Sequence, residues 1–355
     1  MMNQNRMTLV FDWGDTLMRV LPEYKGPMAG WPEVQAVDGA VEALRLLSES
    51  ATLVVATNAT ESRSFQVRQA LARVDLDGFF TAVFTARELD ARKPDPAFFH
   101  AMQSVLDQSP AQCCMIGDSF SDDVLGAKQA GWSAVWYNPT NQPAPGLLPL
   151  YDAEITHFSQ LAETLAAASP PDYLTCQAWL LQQEATANLM AHVHAVAASA
   201  YLMAVWLRGA GQPVDPLLTH RAGLLHDLAK IKTIRKGSDA RISHGEMAGL
   251  MLKDRGYPVL AEIARRHQLY SLNDPDTAPR TWEEKLVYFA DKLVEGSRLA
   301  SLDERLAALA RRYPDESEII TRTGPALKVL QEEICSAAQI EPDALVPRLR
   351  EAFTR

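Results

Sequence analysis

Cysteine is scarce in this chain: Cys113, Cys114, Cys176 and Cys335 are the only four in 355 residues, with no CxxC pair and no zinc-ligand spacing. That excludes a disulfide scaffold and a cysteine-rich zinc module, and reads the four as reduced core thiols of a cytoplasmic protein. Excess positive charge is also missing. Lys and Arg number 34 against 44 Asp and Glu, a formal net charge of −10. A general nucleic-acid binder, which draws its affinity from cations neutralising phosphates, is therefore not expected. The opening MMNQNRMTLVF lacks a basic segment followed by an apolar one, so no secretory signal is expected. Residues 185–207 contain no Asp, Glu, Lys or Arg and are long enough to span a bilayer. They do hold Asn188, His192, His194 and Ser199 among many alanines. That is the composition of a buried helix in a bundle, and no membrane partner is expected.

Apolar residues make up 47% of the chain and charged residues 22%, as in a packed globular protein, and 355 residues exceed one comfortable core. Two domains follow. Up to about residue 168, short β-branched runs (8–11, 53–57, 81–84, 113–117 and 133–137) alternate with amphipathic stretches such as 39–50 and 97–107. Strands alternating with helices predict a parallel, doubly wound α/β sheet whose ligands sit at the carboxyl ends of the strands. Ala168-Ser-Pro-Pro-Asp172 reads as the linker. Beyond it nearly every segment follows a 3.6-residue period, so the expected layout is an α/β domain over 1–168 and an all-α bundle over 169–355.

Four strand tips of the first domain carry chemistry. The first is followed by Asp12-Trp-Gly-Asp-Thr-Leu17, the second ends in Thr57-Asn58, Lys93 lies in Ala91-Arg-Lys-Pro-Asp95, and the fourth is followed by Asp118-Ser-Phe-Ser-Asp-Asp123. Convergence of these tips suits phosphoryl transfer. Asp12 would attack phosphorus and, with Asp118 and Asp123, hold Mg²⁺, while Thr57 would donate to a phosphoryl oxygen and Lys93 would neutralise charge. Asn58 joins Thr57 and Lys93 as a substrate contact. Over roughly residues 7–165 this pattern resembles the haloacid dehalogenase-like (HAD) hydrolases, which implies a Rossmann-like core, an aspartate nucleophile and Mg²⁺. Phosphatases of that family usually read Asp-x-Asp-Gly-Thr, the second Asp protonating the leaving oxygen. Here that position is Gly14, with Asp15 displaced by one. The resemblance leaves Gly14 a metal contact through its backbone carbonyl, but not the general acid, a loss of about 10² to 10⁴ in rate on poor leaving groups. Only 45 residues separate Asp12 from Thr57 and 36 separate Thr57 from Lys93, too few for the family's cap domains, so a capless, open site is expected.

The second half contains Ala191-His-Val-His194, Leu224-Leu-His-Asp-Leu-Ala-Lys230, Ser243-His-Gly-Glu246, Arg265-Arg-His267 and Tyr288-Phe-Ala-Asp-Lys292. Facing helices of a bundle build metal sites from such residues, and imidazole with carboxylate suits Fe, Mn, Zn, Co or Ni. His226-Asp227 inside an apolar stretch is the sharpest signal, because a buried carboxylate needs a compensating cation. Over roughly 176–305 the pattern resembles the HD superfamily of metal-dependent phosphohydrolases. That resemblance implies His192, His226, Asp227 and Asp291 as a minimal site, with His244 and His267 as extra ligands in dinuclear members, including symmetrical diadenosine tetraphosphatases. His194 faces another side of the helix and reads as structural. Lys230, Lys232, Arg235, Lys236 and Arg241 form either a solvated basic loop or a phosphate clamp in which Lys230, Arg235 and Lys236 touch substrate.

The expectation is a cytoplasmic two-domain phosphohydrolase acting on a small phosphorylated molecule such as a nucleotide, with Mg²⁺ in the first site and one or two ions such as Fe or Mn in the second. Two other readings stay open: the first domain as a non-catalytic phosphate-binding or regulatory module, and the whole chain as a nucleotide sensor. Whether it forms a homo-oligomer is left open as well.

Overall fold

The computed structural model describes residues 6–236, 242–312 and 317–354. Two compact units emerge: Met1–Thr140 with Leu150–Ser169, and Asn141–Pro149 with Pro170–Arg355.

The first unit is built on six parallel strands, β1 (Thr8–Phe11), β2 (Thr52–Thr57), β3 (Ala82–Thr85), β4 (Cys113–Gly117), β5 (Ser133–Tyr137) and β6 (Ala153–Ile155), in the order β3-β2-β1-β4-β5-β6. Every residue of β1 and β4 is buried, the signature of strands covered on both faces. The order reverses between β1 and β4, so a crevice opens at their carboxyl ends. Register sets what lines it. Phe11 pairs with both Val55 and Ile116, so residues just beyond β1, β2 and β4 reach one edge. The runs over 53–57 and 81–84 become strands over 52–57 and 82–85, and β6 escapes a reading by periodicity because three residues carry no alternation.

The second unit winds around Ala187–Gly209. This helix is the one among the described residues long and apolar enough to cross a membrane, yet 72% of its most apolar stretch is buried inside the fold. It packs against Pro216–Leu225 and Trp282–Leu293. Gly223 makes the first crossing tight, since a Cβ there would stand 2.6 Å from Ala197 Cα. The unit is helical, as the periodicity predicts, with one short addition. An antiparallel ribbon, Val294–Glu295 against Arg298–Leu299, turns through Gly296 at φ 63°, and two-residue strands are too short to show a period of two. Residues 141–149 belong to this unit through named bonds: Arg208 Nε donates to Asn141 Oδ1 at 2.6 Å, Ala144 N to Tyr201 Oη at 2.8 Å, and Arg221 Nη2 to the Pro149 carbonyl at 2.7 Å.

Candidate functional site

In the first unit, Asp12, Asp118 and Asp123 bring carboxylate oxygens within 4.8 Å of one another. Lys93 Nζ, 1% exposed, donates to Asp12 Oδ1 and Asp123 Oδ1, both at 2.6 Å, and to the Ala56 carbonyl at 3.0 Å. Burial works against its charge, but the two carboxylates hold the Lys93 pKa above its ordinary value. Burial and the Asp12 charge push Asp118 up to about 6; burial, only partly offset by Lys93, pushes Asp123 up to about 7. Three carboxylates gathered around one ammonium make a donor set that matches a divalent cation. Gly117 makes the geometry feasible, because a Cβ there would lie 2.1 Å from Asp123 Oδ2.

Thr57 is buried, its Oγ1 accepting from Ala59 N at 3.2 Å. Both amide atoms of Asn58 hold the Lys93 loop: Oδ1 accepts from Lys93 N at 2.8 Å, and Nδ2 donates to Lys93 O at 2.9 Å and to Asp122 Oδ2 at 3.1 Å. Thr16 donates to Asp118 Oδ1 at 2.8 Å, a role hidden inside the Asp12–Leu17 motif. Gly14 presents no side chain to the cluster. Asp15 sits at φ 55°, and its Oδ1 accepts from Val20 N at 2.9 Å, so its carboxylate closes a surface turn.

In the second unit five segments deliver the candidate ligands. His192 comes from Ala187–Gly209, His226 and Asp227 follow Pro216–Leu225, His244 opens His244–Asp254, His267 follows Pro258–Arg265, and Asp291 lies in Trp282–Leu293. The Asp227 carboxylate stands between two groups. Its Oδ2 is 3.4 Å from His226 Nε2 and 3.8 Å from His192 Nε2, while its Oδ1 is 3.3 Å from His244 Nε2 and 3.5 Å from His267 Nε2. Asp291 Oδ1 completes the first group, 3.1 Å from His192 Nε2 and 3.8 Å from His226 Nε2.

Three rings are fixed from behind. The Nδ1 atoms of His192, His226 and His267 donate to the carbonyls of Gly296 (3.0 Å), Gly223 (2.7 Å) and Ala264 (2.6 Å). A proton held on Nδ1 turns the Nε2 lone pair inward, the orientation of metal-binding histidines. Burial lowers the His267 pKa to about 4, so this ring is neutral at pH 7. Burial opposes charge on Asp227 and Asp291 too, yet His226 beside the first and Lys292 beside the second hold both well below the usual carboxylate range. His226 Nε2 and Asp227 Oδ1 are fully buried without hydrogen-bond partners. Orphaned polar atoms are costly in a protein interior, and a cation beside each, one in each of the two groups, would remove that cost.

Lys230 Nζ is paired with Asp227 Oδ2, and Lys232 is exposed. The side chains of Arg235 and Lys236, and residue Arg241, lie outside the described residues. His194 uses both ring nitrogens elsewhere, on Tyr173 Oη at 3.0 Å and the Met190 carbonyl at 2.6 Å. Two contributors escaped the sequence reading. Lys292 pairs with Asp291 Oδ2 and donates to the His267 carbonyl at 2.9 Å, and Gln268 Nε2 lies 2.9 Å from His244 Nε2. Each directly follows a ligand candidate, and adjacency was the sole signal available.

Residues 14–131 match the family model of haloacid dehalogenase-like hydrolases, and residues 189–295 that of the HD domain. An uncharacterized protein of Methanocaldococcus jannaschii is 31% identical over 154 residues, 40% of this chain and 88% of that protein. A pyrimidine 5′-nucleotidase of Streptococcus pneumoniae is 37% identical over 70 residues, 19% of this chain and 30% of that enzyme. N-acylneuraminate-9-phosphatase of Homo sapiens is 28% identical over 113 residues, 32% and 42% of the two lengths. The chain thus spans less than half of either named enzyme. A solved structure, an uncharacterized protein from Listeria monocytogenes serotype 4b, aligns over 45% of this chain and 97% of its own at 23% identity and a TM-score of 0.41.

Proposed function

The chain carries a haloacid dehalogenase-like hydrolase domain over residues 14–131 and an HD domain over residues 189–295, and from that premise we propose a metal-dependent phosphohydrolase with two sites. The HD site cleaves a phosphoester or phosphoanhydride of a nucleotide. The observation that carries this reading is the Asp227 carboxylate, one oxygen facing His192 and His226, the other facing His244 and His267. Bound there, one or two ions such as Fe or Mn would supply Lewis-acid charge to the phosphoryl group and activate water. His192, His226, Asp291 and Asp227 Oδ2 would hold one ion; His244, His267 and Asp227 Oδ1 the other. Lys230, which pairs with Asp227 Oδ2 at the edge of this centre, would contact a phosphoryl oxygen together with Arg235 and Lys236, which follow it in sequence.

In the HAD domain, Lys93 holds Asp12 Oδ1 and leaves Oδ2 for attack on phosphorus. Thr57 and Asn58 would border the phosphoryl group, and Asp12, Asp118, Asp123 and the Gly14 carbonyl would hold Mg²⁺, whose charge would offset that of the phosphoryl oxygens. With no carboxylate at Gly14, the leaving oxygen departs unprotonated, and donors with good leaving groups are favoured. Gly14 also supports a second reading, in which this domain binds phosphate and regulates without turnover. The nucleotidase relative points to a nucleotide as substrate, and the four buried, unpaired cysteines support a cytoplasmic setting.

The test is a panel of nucleotides, dinucleoside polyphosphates and sugar phosphates, assayed with Mn²⁺, Fe²⁺ or Mg²⁺ on wild type and Asp12→Asn. Nucleotide hydrolysis that needs a transition metal and survives Asp12→Asn is expected; no nucleotide turnover with any metal defeats the reading.

A pH signature follows for the Mg²⁺ site. Asp118 and Asp123 have folded-state pKa values raised to about 6 and about 7, so between about pH 4 and 7 the folded state binds more protons than the unfolded one. Metal-free stability therefore falls as pH rises through that window. Mg²⁺ should raise the melting temperature at pH 8 and leave it nearly unchanged at pH 5.5, as read by thermal denaturation. Equal shifts at both pH values would contradict the assignment.

A further inference from the structure

Gln268 turns its side-chain amide into the His244 and His267 group. Its Nε2 lies 2.9 Å from His244 Nε2 and 3.2 Å from His267 Nε2, and those two nitrogens are 3.2 Å apart. Asp227 Oδ1 stands 3.3 and 3.5 Å from the same pair. Atoms bound side by side to one transition-metal ion at about 2.1 Å are themselves about 3 Å apart. The amide terminus therefore occupies a ligand position alongside the two imidazoles and the carboxylate.

The orientation of the amide has a local cause. His267 donates from Nδ1 to the Ala264 carbonyl, so its Nε2 is an acceptor, and an amide facing it presents N–H. With a cation on those lone pairs, N–H would point at positive charge. A half-turn about the Cγ–Cδ bond exchanges the nitrogen for Oε1 at the same place. Among the described residues the Gln268 amide makes no side-chain hydrogen bond other than those to His244 and His267. Gln268 precedes the short helix Leu269–Asn273 without capping it through its amide. Gly245 leaves it room, since a Cβ there would stand 2.8 Å from Gln268 Nε2.

We propose that Gln268 is the fourth protein ligand of the His244/His267 subsite, through Oε1. This rests on the two-metal reading above. It equalises the two positions, because His192, His226, Asp291 and Asp227 Oδ2 already offer four groups to the other ion.

The test is a Mn²⁺ titration of the full chain followed by electron paramagnetic resonance. Two ions sharing a carboxylate give an exchange-coupled spectrum that a single ion in the HAD site cannot produce. Gln268→Ala should need about 10- to 100-fold more Mn²⁺ to reach the coupled spectrum, with binding of the first ion unchanged, and Gln268→Glu should restore it. A coupled spectrum in Gln268→Ala at the wild-type Mn²⁺ concentration or below overturns the proposal while leaving the two-metal reading intact. No coupled spectrum in wild type at any Mn²⁺ concentration defeats that reading, and the role of Gln268 with it.

Discussion

Asp227→Ala is expected to abolish hydrolysis at the HD site, a loss on the order of 10³-fold or more, since even partners behind metal ligands cost 10- to 100-fold. The reason is position. Asp227 faces all four candidate histidines, His192 and His226 through Oδ2 and His244 and His267 through Oδ1, so its removal disables both subsites. Stability separates this role from a structural one. In metal-free protein the substitution breaks the ion pair of buried Asp227 with Lys230 and removes a carboxylate that His226 holds ionised despite its burial, a loss of about 3 to 5 kcal/mol. The metal-free melting temperature should therefore fall, and the further rise that Mn²⁺ produces at this site should disappear. Retained activity, or a Mn²⁺-induced rise equal to that of wild type, counts against the account.

Gly14→Asp should have the opposite sign at the HAD site. Restoring a carboxylate two residues after Asp12 supplies the missing acid, and positioned acid catalysis contributes about 10² to 10⁴ in rate. Turnover of sugar phosphates and other alkyl phosphate monoesters should rise by about 10²-fold. Aryl and acyl phosphates, whose leaving groups need little protonation, should change far less. The backbone admits the substitution. A Cβ at Gly14 meets only Val20 Cγ2, at 3.0 Å, and Val20 is 46% exposed and able to move. Asp15 does not already play the part, because its Oδ1 is taken by Val20 N. Equal gains on both substrate classes would show that the acid is not what the site lacks. No gain at all would favour the regulatory reading of this domain.

The sheet was legible because buried parallel strands are written as continuous apolar runs, and five of its six strands, β1 to β5, announce themselves that way. The sixth and the small ribbon at Gly296 are too short to carry a period. Ligand candidates such as His226 and Asp227 stood out for a related reason: polar residues inside apolar helices have few other uses. What the sequence could not express is which oxygen of Asp227 faces which histidine, since that depends on the crossing of five segments. The carbonyls of Gly296, Gly223 and Ala264 that orient the rings are backbone atoms and leave no residue signature. Nor could the chain order reveal that residues 141–149 pack into the second unit, held by Arg208, Tyr201 and Arg221.

The central claim is a metal centre organised by Asp227, and metal analysis of the full chain tests it most directly. Protein loaded with Mn²⁺ and passed through a desalting column should retain two ions per chain in a background of Asp12→Asn with Asp118→Ala, where the HAD site has lost two carboxylates of its cluster, and none when Asp227→Ala is added. Equal metal content with and without Asp227 would contradict the account.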